Sequence, residues 1–186
     1  MAEKTPNIHK TLFFLILVFV PPYFLMFTDE GGRLSDTALL WLLGEDEIKL
    51  NVRELNSGFT REDIKKVFSE ADWQCAAQAT PFGNNLCAAQ IGTFNGYPSR
   101  IITTYFHDDH ISAFKLIYRE RYHEQLIGYY IQQLGQPSNV EAAVGEGPDA
   151  APVLEWRLDH GVLYMKKTLG KIDEPTLIWL ASQPGA

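Results

Sequence analysis

An unbroken apolar segment near the N-terminus restricts the fold of this chain more than any other feature of its sequence. Residues 11–27 read TLFFLILVFVPPYFLMF and contain no charged side chain. As a helix, the segment is about 25 Å long at about 1.5 Å per residue. This length is near the short end of what crosses a hydrocarbon core roughly 30 Å thick. We therefore predict a transmembrane helix over residues 11–27.

Two other interpretations of the segment are weaker. A cleaved signal peptide requires small residues before the cleavage site, whereas residues 24–28 are large or polar. A buried core helix is disfavoured because the segment is apolar all round and terminal. Pro21 and Pro22 should kink or break the helix, which membrane helices tolerate. We therefore expect an uncleaved signal anchor.

Charges on either side of the segment predict its orientation. Lys4 and Lys10 precede it, whereas Asp29 and Glu30 follow it. Positive charge favours the cytoplasmic side, so residues 1–10 are expected to form a cytoplasmic tail. The sequence predicts a single-pass protein of the bacterial inner membrane whose C-terminal domain faces the periplasm.

The overall charge disfavours one class of partner. The chain of 186 residues has a formal net charge of −7, with 46% hydrophobic and 21% charged residues. Nucleic-acid binding requires concentrated Lys and Arg against phosphates, so an acidic chain of this kind is not expected to bind nucleic acid.

Two cysteines, Cys75 and Cys87, are the only ones in the sequence. The residues between them include Pro81, Gly83 and Asn84, which favour turns. We expect a loop that brings the two thiols together as a disulfide in an oxidising compartment. The alternatives are a redox pair, which usually has Cys-x-x-Cys spacing, and a zinc site, which needs more ligands.

The segment between the anchor and the main domain is expected to be a linker with one short helix and one strand. Residues 28–59 are predicted to be a linker with a short helix over 34–43, ended by Gly44. Residues 47–55 alternate between apolar and polar side chains, which predicts a half-buried strand.

The remaining sequence shows one pattern twice, in residues 60–120 and 121–181. Thr60 with Asp63 resembles a capping box that begins the first helix, and 122–134 has the apolar spacing of the second. Residues 182–186 are a tail. The fold class is therefore α+β: a transmembrane helix, then an antiparallel sheet domain of two helix-plus-three-strand units. The strands are expected at 85–91, 100–107, 111–118, 153–158, 162–168 and 175–181.

The repeated pattern, most clearly in its second occurrence, resembles two known envelope modules. The helix ends in Leu134-Gly135-Gln136-Pro137, and a strand with Trp156 (VLEWRL) and another strand (VLYMKKT) follow. Over residues 60–181 the pattern is similar to the outer-membrane assembly lipoprotein BamE and to the tandem units of β-lactamase inhibitor protein. The chain lacks the lipobox cysteine of the BamE family. The resemblance implies an antiparallel sheet with helices on one face that binds proteins.

One short cluster has residue types that bind metals. His107, Asp108, Asp109 and His110 are consecutive, and imidazoles and carboxylates ligate zinc and other divalent ions. The simpler interpretation is a hairpin turn at Asp108-Asp109, because successive strand side chains point to opposite faces. No metal or other cofactor is predicted.

An aromatic and basic stretch is the candidate partner surface, since Tyr and Arg are common interface anchors. The alternative is ordinary half-buried packing with polar ends in water. The candidate residues are Tyr118, Arg119, Arg121, Tyr122, Tyr129 and Tyr130.

These features favour one functional hypothesis over two others. The first is a non-enzymatic, membrane-anchored envelope protein whose outer domain binds a protein partner, as a subunit of an inner-membrane complex. The second is a metal-binding or hydrolytic domain that uses the cluster from His107 to His110. The third is an inhibitor of an exported enzyme, which rests on the resemblance alone.

Overall fold

The computed structural model describes residues 8–43, 46–140 and 152–182, which contain helices and strands in an α+β arrangement, as predicted. The chain separates into two compact units, Met1–Gly44 and Glu45–Ala186. The helices of the described ranges are α1 (Ile8–Phe27), α2 (Asp29–Leu43), α3 (Arg61–Val67) and α4 (His123–Leu134). The strands are β1 (Glu47–Ile48), β2 (Gln74–Thr80), β3 (Gly83–Gln90), β4 (Thr93–Phe94), β5 (Tyr97–His107), β6 (His110–Tyr118), β7 (Ser138–Val140), β8 (Val153–Leu158), β9 (Gly161–Lys166) and β10 (Thr176–Ala181).

The N-terminal unit consists of α1 and α2. Helix α1 continues through Pro21 and Pro22, so the break expected at these prolines does not occur. Helix α2 begins five residues before the predicted position because Thr28 caps it: the Thr28 hydroxyl accepts a hydrogen bond from the Gly31 N–H at 3.0 Å. Gly44, the expected end of this helix, lies outside the described residues.

The membrane-spanning potential of this unit is divided between its two helices. Within the described ranges, no helix by itself is long and apolar enough to cross a membrane. Residues 12–25 and 30–36 have the necessary length and apolar composition only when taken together, and the two segments are bent by 78° relative to each other.

The second unit is built around one sheet. Its main strand order is β2-β3-β5-β6-β10-β9-β8-β7, and every neighbouring pair in this order is antiparallel. The short β4 pairs with β5, and β1 pairs with β4 in parallel, so the sheet is mixed. The two predicted halves of the domain meet where β6 pairs with β10.

Strand β2 was not predicted, and it changes the strand count of the first half. The stretch between the cysteines is a hairpin of β2 and β3 around Pro81-Phe82, with the turn much tighter than the expected loop. Strand β7 was likewise expected to be loop. Each half therefore contains a four-stranded meander instead of three strands.

The predicted strand at residues 47–55 is mostly irregular backbone. Its apolar side chains are buried as the alternation suggested, with Leu50 and Val52 among them. Only β1 joins the sheet, because the Asn95 side chain takes the place of a partner strand. Its amide oxygen accepts from the Leu50 N–H at 2.8 Å, and its NH₂ group donates to the Leu50 carbonyl at 2.9 Å.

Local sequence explains where α3 begins and where α4 ends. Thr60 and Asp63 form the expected capping box at the start of α3. Hydrogen bonds from the Thr60 N–H and hydroxyl lower the pKa of Asp63 below its ordinary value. Val67, the last residue of α3, is 53% exposed. Helix α4 ends at Gly135, whose φ of 89° is costly for residues with a side chain.

The hydrophobic core lies on one face of the sheet. Strand residues that alternate along the chain point to the same face, and those of one face join α3 and α4 in a single cluster. The largest fully buried members include Phe106, Phe114, Tyr118, Tyr130 and Trp179.

Candidate functional site

The cluster from His107 to His110 forms the hairpin turn between β5 and β6. Asp108 and Asp109 have φ angles of 49° and 70°, the left-handed conformation that a tight two-residue turn requires at both positions. All four side chains are exposed. Arg61 lies 3.4 Å from Asp109. Among the residues the structure describes, no group of three or more His, Cys, Asp or Glu side chains is placed to hold a metal ion.

The two cysteines lie directly opposite each other on β2 and β3 and form a disulfide, as predicted. Cys87 is buried with 1% exposure, whereas Cys75 is exposed. The bond therefore joins the outermost strand of the first meander to a strand that contacts the core.

The tyrosine and arginine residues predicted to form a partner surface do not lie together on the outside of the protein. Tyr118, Tyr122 and Tyr130 are 0%, 6% and 1% exposed and belong to the interior. The Tyr118 hydroxyl lies 2.7 Å from Nδ1 of buried His123, which gives the phenol a polar partner inside the protein. Burial raises the pKa of Tyr118 and of Tyr130.

The other members of that set are only partly accessible or lie apart. Tyr129 is half-buried against Tyr97, with ring centroids 5.5 Å apart. Arg119 is half-buried and Arg121 is exposed. These side chains do not combine with the buried tyrosines into one contact patch.

The sheet has a second face that carries apolar side chains outside the core cluster. Register places Tyr105, Leu180 and Val162 in one row across the strands and Ile178 beside Tyr164 in the next. All are half-buried, and none belongs to the core cluster or packs against it. We call the following seven residues the open face: Ile101, Tyr105, Ile117, Val162, Tyr164, Ile178 and Leu180.

Charged side chains around the open face are paired with one another. Lys115, which lies between Thr103 and Ile178 in register, donates to a neighbouring carboxylate. Among the described residues, three ion pairs lie on this side of the sheet. The pairs are Lys115–Glu174 at 2.7 Å, Arg157–Glu155 at 2.6 Å and Lys166–Asp173 at 2.5 Å.

Aromatic packing extends the open face toward the β2–β3 hairpin. The Phe82 ring in the hairpin turn lies 5.1 Å from the Tyr105 ring, centroid to centroid. The Phe82 carbonyl accepts a hydrogen bond from the Ser112 hydroxyl. The tip of this hairpin is therefore fixed beside Tyr105.

The sequence contains a signal for the open face that an alternation analysis misses. Strands with one solvated face usually alternate between apolar and polar residues. Here β10 reads TLIWLA, which is a nearly continuous apolar run. Such runs are typical of strands whose two faces are both covered.

A surface cleft of about 540 Å³ lies along α4, between Tyr129 and the segment after β1. Among its lining residues, Lys49 lies 3.1 Å from Glu47, and Glu54 accepts a hydrogen bond from the Asn51 amide at 3.2 Å.

Comparison with protein-family models, with curated proteins and with solved structures found no match to this chain. The resemblance to BamE and to β-lactamase inhibitor protein stays a prediction. Function must therefore be inferred from the surfaces described above.

Proposed function

We propose that this chain is a non-enzymatic, membrane-anchored module of the bacterial envelope that binds a protein partner through the open face. The observation that carries the proposal is the two-sided apolar character of the sheet. One face is covered by α3 and α4 in the core, and the other carries a row of aliphatic and aromatic side chains that no core residue covers.

The chemistry of the open face suits a protein partner. Contiguous exposed apolar patches mark interaction sites more often than chance. Interface cores are depleted of free charge and enriched in aromatic residues. The open face meets both conditions, because Tyr105 and Tyr164 contribute aromatic area and the nearby Lys115 is already paired with Glu174.

Helix α1 supports the membrane part of the proposal. A helix on a water-soluble protein usually buries one apolar stripe. In α1, apolar side chains on every side are exposed, with Phe13 at 68%, Leu17 at 60% and Phe19 at 63%. Lipid is the environment that would cover such a surface.

The disulfide and the flanking charges support the proposed location. Disulfides persist in oxidising compartments such as the periplasm, and Lys10 lies in the first turn of α1, before its apolar segment. We propose a single-pass inner-membrane protein with a cytoplasmic N-terminus. A reporter enzyme that is active only in the periplasm, fused after Ala186, is expected to be active; activity of a cytoplasmic reporter instead would contradict this orientation.

Site-specific photo-crosslinking in cells tests the binding surface. A photoreactive residue in place of Ile178, in the full-length chain, should crosslink to a discrete protein partner. The matched control is the same residue in place of Gln132, which is exposed on α4. Equal crosslinking at both positions, or none at Ile178, would refute the open face as the contact surface.

A charge substitution provides an independent test of the same surface. Ile178→Lys places an additional ammonium beside Lys115, to which Ile178 is paired in register. We expect the crosslink from a second open-face position, Tyr164, to be lost in this variant. Gln132→Lys adds the same charge on α4 and should leave the crosslink unchanged.

The inhibitor hypothesis shares this surface and has one observation in its favour. The open face contains the aromatic side chains Tyr105 and Tyr164 on a sheet, which suits the insertion of a loop from an exported enzyme. The partner identified by crosslinking separates the two hypotheses. An inhibited hydrolase would support this one, and a membrane-complex subunit would support the first.

A further inference from the structure

Strand β2 is an edge of the sheet. It pairs with β3 on one side, and no strand in the described residues pairs with its other side. The side chains from Gln74 to Ala79 are exposed on both faces. Edge strands are normally protected by lysine, proline, inward charges or bulges. The sequence of β2, QCAAQAT, contains none of the first three, and its register with β3 shifts only after Ala77.

The backbone geometry shows which groups of β2 are free. The Cα atoms of Cys75 and Cys87 are 4.0 Å apart. This close approach is characteristic of a pair that does not exchange hydrogen bonds in an antiparallel ladder. The N–H and C=O groups of Cys75, and by alternation those of Ala77, therefore point away from β3. Within the described ranges, these groups make no hydrogen bond to any residue outside the β2–β3 ladder.

The outward N–H and C=O groups of Cys75 and Ala77 lie symmetrically on either side of Ala76, which is compatible with a two-fold axis there. With the axis at Ala76, Cys75 of one copy faces Ala77 of the other, and each pair exchanges both backbone hydrogen bonds. Ala76 then faces itself and Gln74 faces Gln78. A two-fold pairing usually brings like charges together, but β2 carries no charge and only small or amide side chains around the axis. The register shift after Ala77 limits the regular pairing to this central region.

We propose that β2 pairs antiparallel with β2 of a second copy of this chain, which joins two sheets into one across a two-fold axis. The disulfide to β3 holds the exposed strand in place for this pairing. The proposal concerns the edge of the sheet and goes beyond the proposed function, which concerns the open face.

Native mass spectrometry of the full-length chain, released from detergent micelles over a concentration series, tests the proposal. The native chain should be a dimer. Ala77→Pro removes an outward N–H without removing a bond to β3, which edge strands tolerate, and should give a monomer. An intact Cys75–Cys87 disulfide, verified by mass after alkylation, shows that the hairpin is still formed.

Charge substitutions at the two-fold axis provide a second test of the dimer. Ala76→Lys alone and Ala76→Glu alone place like charges opposite each other, so each should raise the dimer dissociation constant by up to about fivefold. Co-expression of the two variants should restore a mixed Lys/Glu dimer. Gln132→Lys is the control for added charge and should remain dimeric.

Several results would overturn the proposal. They are a native chain that is monomeric throughout the series, a dimer that survives Ala77→Pro, and a Lys/Glu mixture that does not preferentially form mixed dimers. A monomer whose β2 binds the strand of a different protein would also overturn it. Ile178→Lys on the open face should leave the dimer intact, so failure of either proposal is distinguishable from failure of the other.

Discussion

Replacing Cys75 and Cys87 with alanine should destabilise the protein and loosen β2 in particular. The two cysteines are 12 residues apart in sequence. In the chain-entropy model, closing a loop of this size contributes about 3 kcal/mol. Besides the disulfide, β2 is held by its ladder to β3 and by the hairpin tip at Phe82, since its own side chains are exposed and contribute little hydrophobic burial. We therefore expect the loss to be concentrated in this hairpin.

Two measurements on the full-length chain in detergent determine the size and location of the effect. The free energy of unfolding in urea, followed by tryptophan fluorescence, should fall by about 3 kcal/mol in the double-alanine variant. Amide hydrogen exchange in β2 should become roughly 100-fold faster, which is the same energy expressed as an opening equilibrium. Exchange in β10, at the centre of the sheet, should change less.

Reduction of the native protein provides the internal control. A reductant should give the native chain the exchange pattern of the double-alanine variant and should have no further effect on the variant itself. A change in unfolding free energy below about 1 kcal/mol, together with unchanged exchange in β2, would refute the reasoning that the disulfide is the main constraint on this strand.

Three further predictions concern packing and electrostatics, and each is measured by urea unfolding. Gly161→Ala should cost about 1–3 kcal/mol, because a Cβ there would clash with the Leu180 backbone carbonyl and lie 2.5 Å from Nε1 of Trp179 on β10. Gly128→Ala, which has open space, should stabilise α4 by up to about 1 kcal/mol. The pKa of Asp63 is lowered in the folded state, so its contribution is present above its unfolded pKa and is lost as pH falls through the folded value. Asp63→Asn should therefore weaken the loss of stability as the pH falls from about 5 to below the ordinary aspartate pKa; an unchanged pH profile would contradict this. Tyr118→Phe should cost about 1–3 kcal/mol because it leaves Nδ1 of buried His123 without its partner, and a neutral effect would mean that water replaces the phenol.

Local chemistry made several elements predictable from the sequence. The capping box at Thr60 and the turn at Asp108-Asp109 depend on residues close together in the chain, and both are found as expected. The strand at β8 was predicted with the correct ends because its apolar run is bounded by turn residues. The cysteine pair was also predictable, although the hairpin that joins it was not.

The missed elements depend on contacts distant in sequence. Strand β2 carries no apolar pattern because neither of its faces is buried, so periodicity could not reveal it. The segment after β1 has the apolar alternation of a strand, but its partner is the side chain of Asn95, which no periodicity reports.

The candidate site was less predictable than the fold. Tyrosine is amphipathic, so its type alone does not show whether it lies in the core or on the surface. Tyr118 and Tyr130 are buried, and Tyr164, in an ordinary strand, lies on the open face. The tertiary fold determines which face of the sheet the helices cover. The residues on the other face are the ones that remain available to a partner.

The central position of β10 has a consequence for how the chain matures. This strand follows all the other described strands in sequence, yet it is hydrogen-bonded to β6 on one side and β9 on the other. Because the chain is synthesised from its N-terminus, the strands of both half-sheets are complete before Thr176–Ala181 is available to join them, and each half-sheet has an open edge until this strand arrives. During that interval, both edges are available for wrong pairing. The time-critical step in the biogenesis of this domain is the delivery of its final strand.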